Sequence, residues 1–348
     1  MPVTTPDSTQ EASDAEKLHP KPLVSVVMIT YNHADYLAQA IEGVVSQQCD
    51  FPFELVIGED ASKDETRAVA FEYQRRFPHI VRVLYSAHNV GMNANGKRTF
   101  DAARGEFVAF CEGDDYWCSP DKLARQVELI ERGPDVGIVH TDWVRSTCGE
   151  QGWVVNWANS VHRRVPAALL EGRLFSTFHY PKILRTCTVL LRRSTVDACA
   201  SSGLARREYK FSDVVLAAFV SSRWKVAYVP ETMAVYRESP GSVLRSGKQA
   251  RLAFLRSSLE FDTDARDFFR DREDYPSSYR WEVAVGLLLW AMSARDRGTA
   301  LFALRDIREH FGLWSFIKEG WQTVWMRRRA LGSRHFDKRP AATDVSGG

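Results

Sequence analysis

The chain has 348 residues, 45% hydrophobic and 26% charged, with a net charge of +2. This is an ordinary globular composition, enough for one large or two smaller domains, and its near-neutral balance argues against a nucleic-acid partner. Its six cysteines form no C-x-x-C pair, which points to reduced thiols in a cytoplasmic protein rather than a disulfide framework.

Residues 1–21 are rich in Thr, Ser, Asp and Glu without an apolar run, which predicts a disordered N-terminal tail and no signal peptide. Residues 23–29 are almost continuously apolar and β-branched. A strand buried on both faces has that pattern, as in a parallel sheet. A loop at 30–33 leads to helical spacing over 34–47, a strand over 53–57, a helix over 65–77 closed by Pro78, and a strand over 81–85. A helix over 93–103 and a strand over 106–111 follow. The alternation predicts an open, mostly parallel α/β sheet flanked by helices, with right-handed crossovers. The second half is less regular. Helix is expected over 121–132 and from 213 to 219, with strands at 136–142, 188–191 and 225–229 and a further extended run at 233–237. Residues 150–180, bearing Trp and His, read as an irregular acceptor loop, and the pattern from 248 to 329 is helical. The longest uncharged apolar run, 283–292, is too short for a spanning helix, which needs about 20 residues.

The sharpest motif is Glu112-Gly113-Asp114-Asp115-Tyr116-Trp117, directly after a predicted strand end. Carboxylates crowded at one point repel, and a divalent cation shared with a substrate pyrophosphate relieves the repulsion. Ser119-Pro120-Asp121 behind them suits a helix start, which asks for no acid at 112, 114 or 115. In open α/β sheets ligands sit beyond the carboxyl ends of the strands, so the loops at 30–33, 58–64 and 112–117 converge on one crevice. Asp60 can accept a hydrogen bond from a base, with Tyr31 as a stacking surface, whereas Asp64 or Ser62 suits a helix cap. Asp213 opens an apolar helix, where an N-cap role is open alongside a functional one. The first turn, 30–35, has no glycine, which argues against a dinucleotide-binding fingerprint, a P-loop and a sugar-nucleotide pyrophosphorylase.

Taken in order, residues 24–32, 58–66, 89–92 and 112–117 resemble the family-2 glycosyltransferases, whose catalytic domain has the GT-A fold. Phe211-Ser212-Asp213 and residues 233–237 look like later landmarks of that family. The resemblance implies a catalytic domain over 22–245, followed by a helical region over 246–332 and a flexible tail over 333–348. It implies inverting transfer of a sugar from a nucleotide-diphosphate donor, UDP-sugar favoured, to a hydroxyl of a glycan or lipid-linked acceptor in cell-surface polysaccharide synthesis. Asp60 matches the acid on the nucleobase, and Thr30, Tyr31 and Asn32 the loop beside base and ribose. Glu59, Asn89, Glu112, Asp114 and Arg237 complete the implied donor set. Asp114 or Asp115 would hold Mn²⁺ or Mg²⁺, and Asp213 matches the general base. The chain departs from the pattern at Ser212, where many relatives carry an acid, and at Ser239, where they often carry His. Arg237 or Arg245 could substitute there electrostatically. The other readings are a non-catalytic nucleotide-sugar or glycan-binding module on the same fold and, less suited to the first turn, a metal-dependent nucleotidyltransferase.

Beyond the resemblance, Trp314, Ile317, Trp321, Val324 and Trp325 recur at spacings of three and four, followed by a basic cluster from Arg327 to Arg339. Such a segment, 313–339, fits either peripheral contact at the inner face of an anionic membrane or packing on the catalytic domain or a second subunit of a homodimer.

Overall fold

The computed structural model describes residues 9–149, 152–180, 183–239 and 247–311. Val24, Val26, Val27 and Met28 are all buried because their strand lies inside a sheet covered on both faces. The strands are β1 (Gln10–Ala12), β2 (Val24–Thr30), β3 (Phe53–Glu59), β4 (Val81–Tyr85), β5 (Phe107–Phe110), β6 (Tyr116–Trp117), β7 (Val136–Gly149), β8 (Gly152–Val155), β9 (Leu190–Arg192) and β10 (Lys225–Arg237). They form one sheet in the order β1-β4-β3-β2-β5-β9-β7-β10-β6, with β8 paired to β7. β4, β3, β2 and β5 run parallel, as do β7 and β10. β9 runs antiparallel between β5 and β7 and so joins the two parallel halves.

The helices are α1 (Ala34–Val45), α2 (Thr66–Arg76), α3 (Met92–Asp101), α4 (Lys122–Arg132), α5 (Arg193–Ala200), α6 (Asp213–Ser221), α7 (Lys248–Phe268), α8 (Ser277–Ala294) and α9 (Arg297–His310). One core runs from β2–β5 with α1 and α2 to α4 on β7, β9 and β10, and is built on Leu37, Ile41, Leu55, Ile57 and Leu123. A second joins Phe175, Leu191 and Phe219 to Leu259, Trp281, Leu287 and Ile307. The C-terminal helices thus share a core with residues from the sheet region rather than forming their own.

Within the stretch expected to be disordered, Gln10–Ala12 instead pairs with β4, and Leu18 is buried. The edge is fixed by Glu11, whose carboxylate accepts from Arg82 Nε at 2.8 Å. The extended runs at 225–229 and 233–237 are a single strand, β10, with register shifts between Val229 and Ala234 that absorb the polar residues between them. β6, α5 and, within the stretch expected to be irregular, β8 are additional to the expected elements. The amphipathic segment 313–339 and Arg245 lie outside the described residues.

Candidate active site

β2, β3 and β5 are parallel neighbours, so the loops leaving them lie at one edge of the sheet. The first two are stitched together. Asn32 adopts the left-handed conformation (φ 54°), which Asn tolerates better than most residues. Its N–H donates to Ser62 Oγ at 3.0 Å, and its Oδ1 accepts from Lys63 N–H at 2.9 Å. His33 N–H donates to Thr66 Oγ1 at 2.7 Å, and Ala34 N–H to Asp64 Oδ2 at 3.1 Å. Asp64 also accepts from Thr66 N–H, the helix-entry role expected of it. Tyr31 is left solvent-facing beside this knot, 38% exposed.

Glu59 and Asp60 are both buried, with both carboxylate oxygens engaged. Glu59 accepts from Ser62 N–H at 2.6 Å and from Arg67 Nε at 2.5 Å. Asp60 Oδ1 accepts from Val90 N–H at 2.8 Å and Oδ2 from Gly91 N–H at 3.0 Å, while Asn89 Nδ2 donates to the Asp60 carbonyl at 3.0 Å. Asp60 therefore shapes the 89–91 loop, and each of its oxygens retains a further lone pair for a ligand donor.

The acid cluster follows β5. Gly113 packs so closely against the first loop that a Cβ there would lie 2.7 Å from Thr30 Oγ1 and 3.1 Å from His33 Nδ1. Any side chain at 113 would push the two loops apart. Thr30 is the joint of the site, since its carbonyl accepts from Asp60 N–H at 3.1 Å. Around Gly113, three buried polar atoms have no hydrogen-bond partner among the described residues: Thr30 Oγ1, His33 Nδ1 and Glu112 Oε2. Burial, reinforced by the charges of Asp114 and Asp213, raises the Glu112 carboxyl to about 7. Asp213 heads α6, is exposed, and among the described residues accepts its neighbouring Val214 N–H at 2.9 Å. The acid at 213 thus lies within electrostatic range of the acids after β5, although some 100 residues separate them in sequence.

Asp114 and Asp115 behave differently. Asp114 is half-buried; its Oδ2 accepts from Ser239 Oγ at 3.0 Å. Asp115 is 3% exposed and turned inward, accepting Arg237 N–H at 2.9 Å. Burial, then the charges of Asp114 and Glu112, push its carboxyl well above the usual range. Arg237 clamps this turn. Its Nη1 donates to the Asp114 carbonyl at 2.9 Å, its Nη2 bonds Gln39, and its guanidinium lies over the rings of Tyr116, Tyr36 and Trp153. Trp153, on β8, is how the expected acceptor loop reaches the site, and its ring meets Tyr36 edge-on at 5.5 Å.

Sequence reasoning passed over His33 and Trp153. His33 stands one residue beyond the motif at 30–32, and its position in a strand-end loop was the available signal. Burial lowers its pKa, with Asp114 and Asp64 opposing. The unpartnered Glu112 and His33 atoms beside Asp114 suit a divalent cation. Among the described residues no three His, Cys, Asp or Glu side chains could hold one unaided, so a cation here needs ligands from a substrate.

Residues 25–208, just over half of the chain, match the pattern of glycosyl transferase family 2. The chain is 29% identical to the uncharacterized protein Rv1520 of Mycobacterium tuberculosis over 325 residues, covering 87% of this chain and 86% of that protein. It is 34% identical over 110 residues to TuaG of Bacillus subtilis, a glycosyltransferase named for teichuronic acid biosynthesis, covering 32% of this chain and 42% of TuaG. Among solved structures it is similar to Staphylococcus aureus TarS 1–349 in complex with UDP-GlcNAc (17% identity, 82% and 91% covered, TM-score 0.50). It is also similar to the mannosyltransferase PcManGT of Pyrobaculum calidifontis in complex with GDP-Man and Mn²⁺ (17%, 88% and 81%, TM-score 0.51). At that identity the likeness is one of fold, and it agrees with the expected GT-A architecture. Sequence match and fold together make the chain a member of glycosyl transferase family 2.

Proposed function

We propose that the protein is an inverting glycosyltransferase that moves a sugar from a nucleotide-diphosphate donor, UDP-sugar favoured, to a hydroxyl of a glycan or lipid-linked acceptor. The setting is cell-surface polysaccharide synthesis at the inner face of the membrane. The observation that carries this reading is the cluster of buried polar atoms of Thr30, His33 and Glu112 packed around Gly113 that lack partners among the described residues, with Asp114 beside them. Leaving such atoms unpaired costs about 1–3 kcal/mol each, a cost a bound ligand removes. TarS with UDP-GlcNAc, PcManGT with GDP-Man and Mn²⁺, and TuaG supply the donor, metal and polysaccharide precedents.

In this reading Tyr31 stacks on the base, while Asp60 and Asn89 shape the pocket wall against it. Thr30, Asn32 and Glu59 fix the loop beside the ribose. Asp114, flanked by Glu112 and His33, would hold the cation, Mn²⁺ or Mg²⁺, with further ligands from the donor; Asp115 and Arg237 hold Asp114 in place. When bound, the cation supplies Lewis-acid neutralisation of the departing diphosphate. Asp213, exposed at the start of α6, takes the proton of the acceptor hydroxyl as it attacks the anomeric carbon from the face opposite the leaving group.

The test is nucleotide release from UDP-, GDP- and dTDP-sugars with Mn²⁺ and with EDTA. Metal-dependent release from one donor class is the expected result. Donor binding without release at any metal concentration would instead favour a silent sugar-nucleotide-binding module.

A further inference from the structure

The α8–α9 hairpin has one side in the core and another that nothing in the described chain covers. Trp281, Ala284, Leu287 and Ala291 of α8, with Ala303 and Ile307 of α9, face inward. On the opposite side Leu289 is 61% exposed, Met292 63% and Leu301 66%, with Leu304 and Phe302 also exposed. At about 100° per residue, Arg297, Leu301, Leu304, Arg305 and Arg308 fall on one stripe of α9. All five are exposed. None of these arginines has an ion-pair partner among the described residues, nor does Arg295 in the turn between the helices. The nearby acids are spoken for: Asp296 caps α9 through Thr299 N–H, and Asp306 is paired with Arg280. Glu309 is the one exposed acid on α9.

Five large apolar side chains exposed on one helical hairpin are more than scattered surface hydrophobics, and such clusters mark interaction sites. The interleaved arginines decide which partner. A symmetric contact with a second copy would set this basic stripe against itself, and like charges juxtaposed in an interface are unfavourable. A polyanion alone would leave the leucines and Met292 in water. A bilayer carrying anionic headgroups satisfies both at once, burying the apolar side chains shallowly while the guanidinium groups meet phosphates. The hairpin lies on such a surface rather than through it, since no described helix is long and apolar enough to cross a membrane. We propose that the outward face of α8–α9 is a docking surface for an anionic lipid bilayer. This goes beyond the reaction proposed above, as none of its residues belongs to the site.

The experiment is co-sedimentation of the full chain with vesicles of phosphatidylcholine alone or mixed with phosphatidylglycerol, alongside light scattering for oligomeric state. The wild type is expected to bind the mixed vesicles and not the neutral ones, less tightly as salt rises. Arg305→Glu/Arg308→Glu and Leu301→Glu/Leu304→Glu, all at exposed positions, should each weaken that binding by at least about tenfold. Nucleotide-sugar binding by both variants, unchanged, checks the fold and separates this proposal from the glycosyl-transfer reading. The proposal is overturned if the wild type ignores anionic vesicles, or if both variants bind like the wild type. It is equally overturned if the wild type is a dimer that Leu301→Glu/Leu304→Glu dissociates with no effect on vesicles.

Discussion

Two glutamates near the central strands, the buried Glu54 on β3 and the half-buried Glu112 just after β5, meet opposite treatment. Glu54 is 1% exposed and fully compensated: Ser25 Oγ donates to it at 2.6 Å, Arg104 N–H at 2.8 Å, Arg104 Nη2 at 2.7 Å and Arg82 Nη1 at 3.1 Å. Burial alone would raise its carboxyl, but hydrogen bonds from Arg104 and Ser25 and the charge of Arg82 hold it below the usual range. Glu112 has an oxygen without a partner and two carboxylates as electrostatic neighbours, and its pKa rises to about 7. The sheet thus pairs one acid with cations where it closes the fold and leaves the other, at the candidate site, with one oxygen unpartnered among the described residues. Uncompensated buried charge is unfavourable for folding, so its persistence marks a place where something else supplies the missing partner.

The comparison makes divergent demands on substitutions. Asp213→Asn, in the uncompensated cluster, should lower transfer by about 10²–10⁴-fold while leaving donor binding and thermal stability as in the wild type. Single-turnover rates and donor titration check this. Near-normal turnover would remove Asp213 from the role of base. Glu54→Gln, in the compensated cluster, should do the reverse. It leaves Arg82 buried without its inner partner and should destabilise by about 3–5 kcal/mol in urea unfolding, with activity per folded molecule unchanged. If Glu54→Gln lowered activity more than stability, the division of labour between the clusters would be wrong.

Lys122 tests the same contrast with the opposite sign of charge. It is fully buried in α4, with its Nζ donating to Gln126 Oε1 at 2.6 Å and lying 4.1 Å from the Trp117 ring centroid. Burial lowers its pKa to about 7. Between about pH 7 and the ordinary lysine value of 10.5 the unfolded chain therefore binds more protons than the folded one. Stability contributed by this group is present above the unfolded value and is lost as pH falls through about 7. Across that window the wild type should gain up to about 1.4 kcal/mol per pH unit relative to Lys122→Met, read from urea midpoints at several pH values. Equal slopes for the two proteins would show that Lys122 is solvated or paired.

The parallel half of the sheet was legible because its strands are continuous apolar runs, and burial on both faces leaves few other readings for residues 24–29. The convergence of the first three loops followed from strand direction alone. The split between Asp114 and Asp115 was not legible, because adjacent carboxylates in a turn differ only in which backbone N–H each meets, and that donor, Arg237 N–H, comes from a distant strand. His33 was missed because its significance lies in packing against Gly113, a contact between loops 80 residues apart. β1 was missed for the opposite reason: Gln10-Glu11-Ala12 is too short and too polar to carry a strand pattern, and an ion pair from Glu11 to Arg82 selects it.

That edge gives the smallest and most discriminating effect. Glu11 and Glu54 grip the same guanidinium, Arg82, from two sides. Glu11 is about a third exposed while Glu54 is buried, so water replaces the first far more readily than the second. Glu11→Ala should therefore cost no more than about 1 kcal/mol, and less as salt is raised. It should also speed proteolysis within residues 9–21, because β1 is tied to the sheet by few other contacts. Urea unfolding of Glu11→Ala beside Glu54→Gln measures both losses on one arginine. Losses of equal size would mean that burial does not govern the worth of these pairs, and the contrast between Glu54 and Glu112 would lose its physical basis.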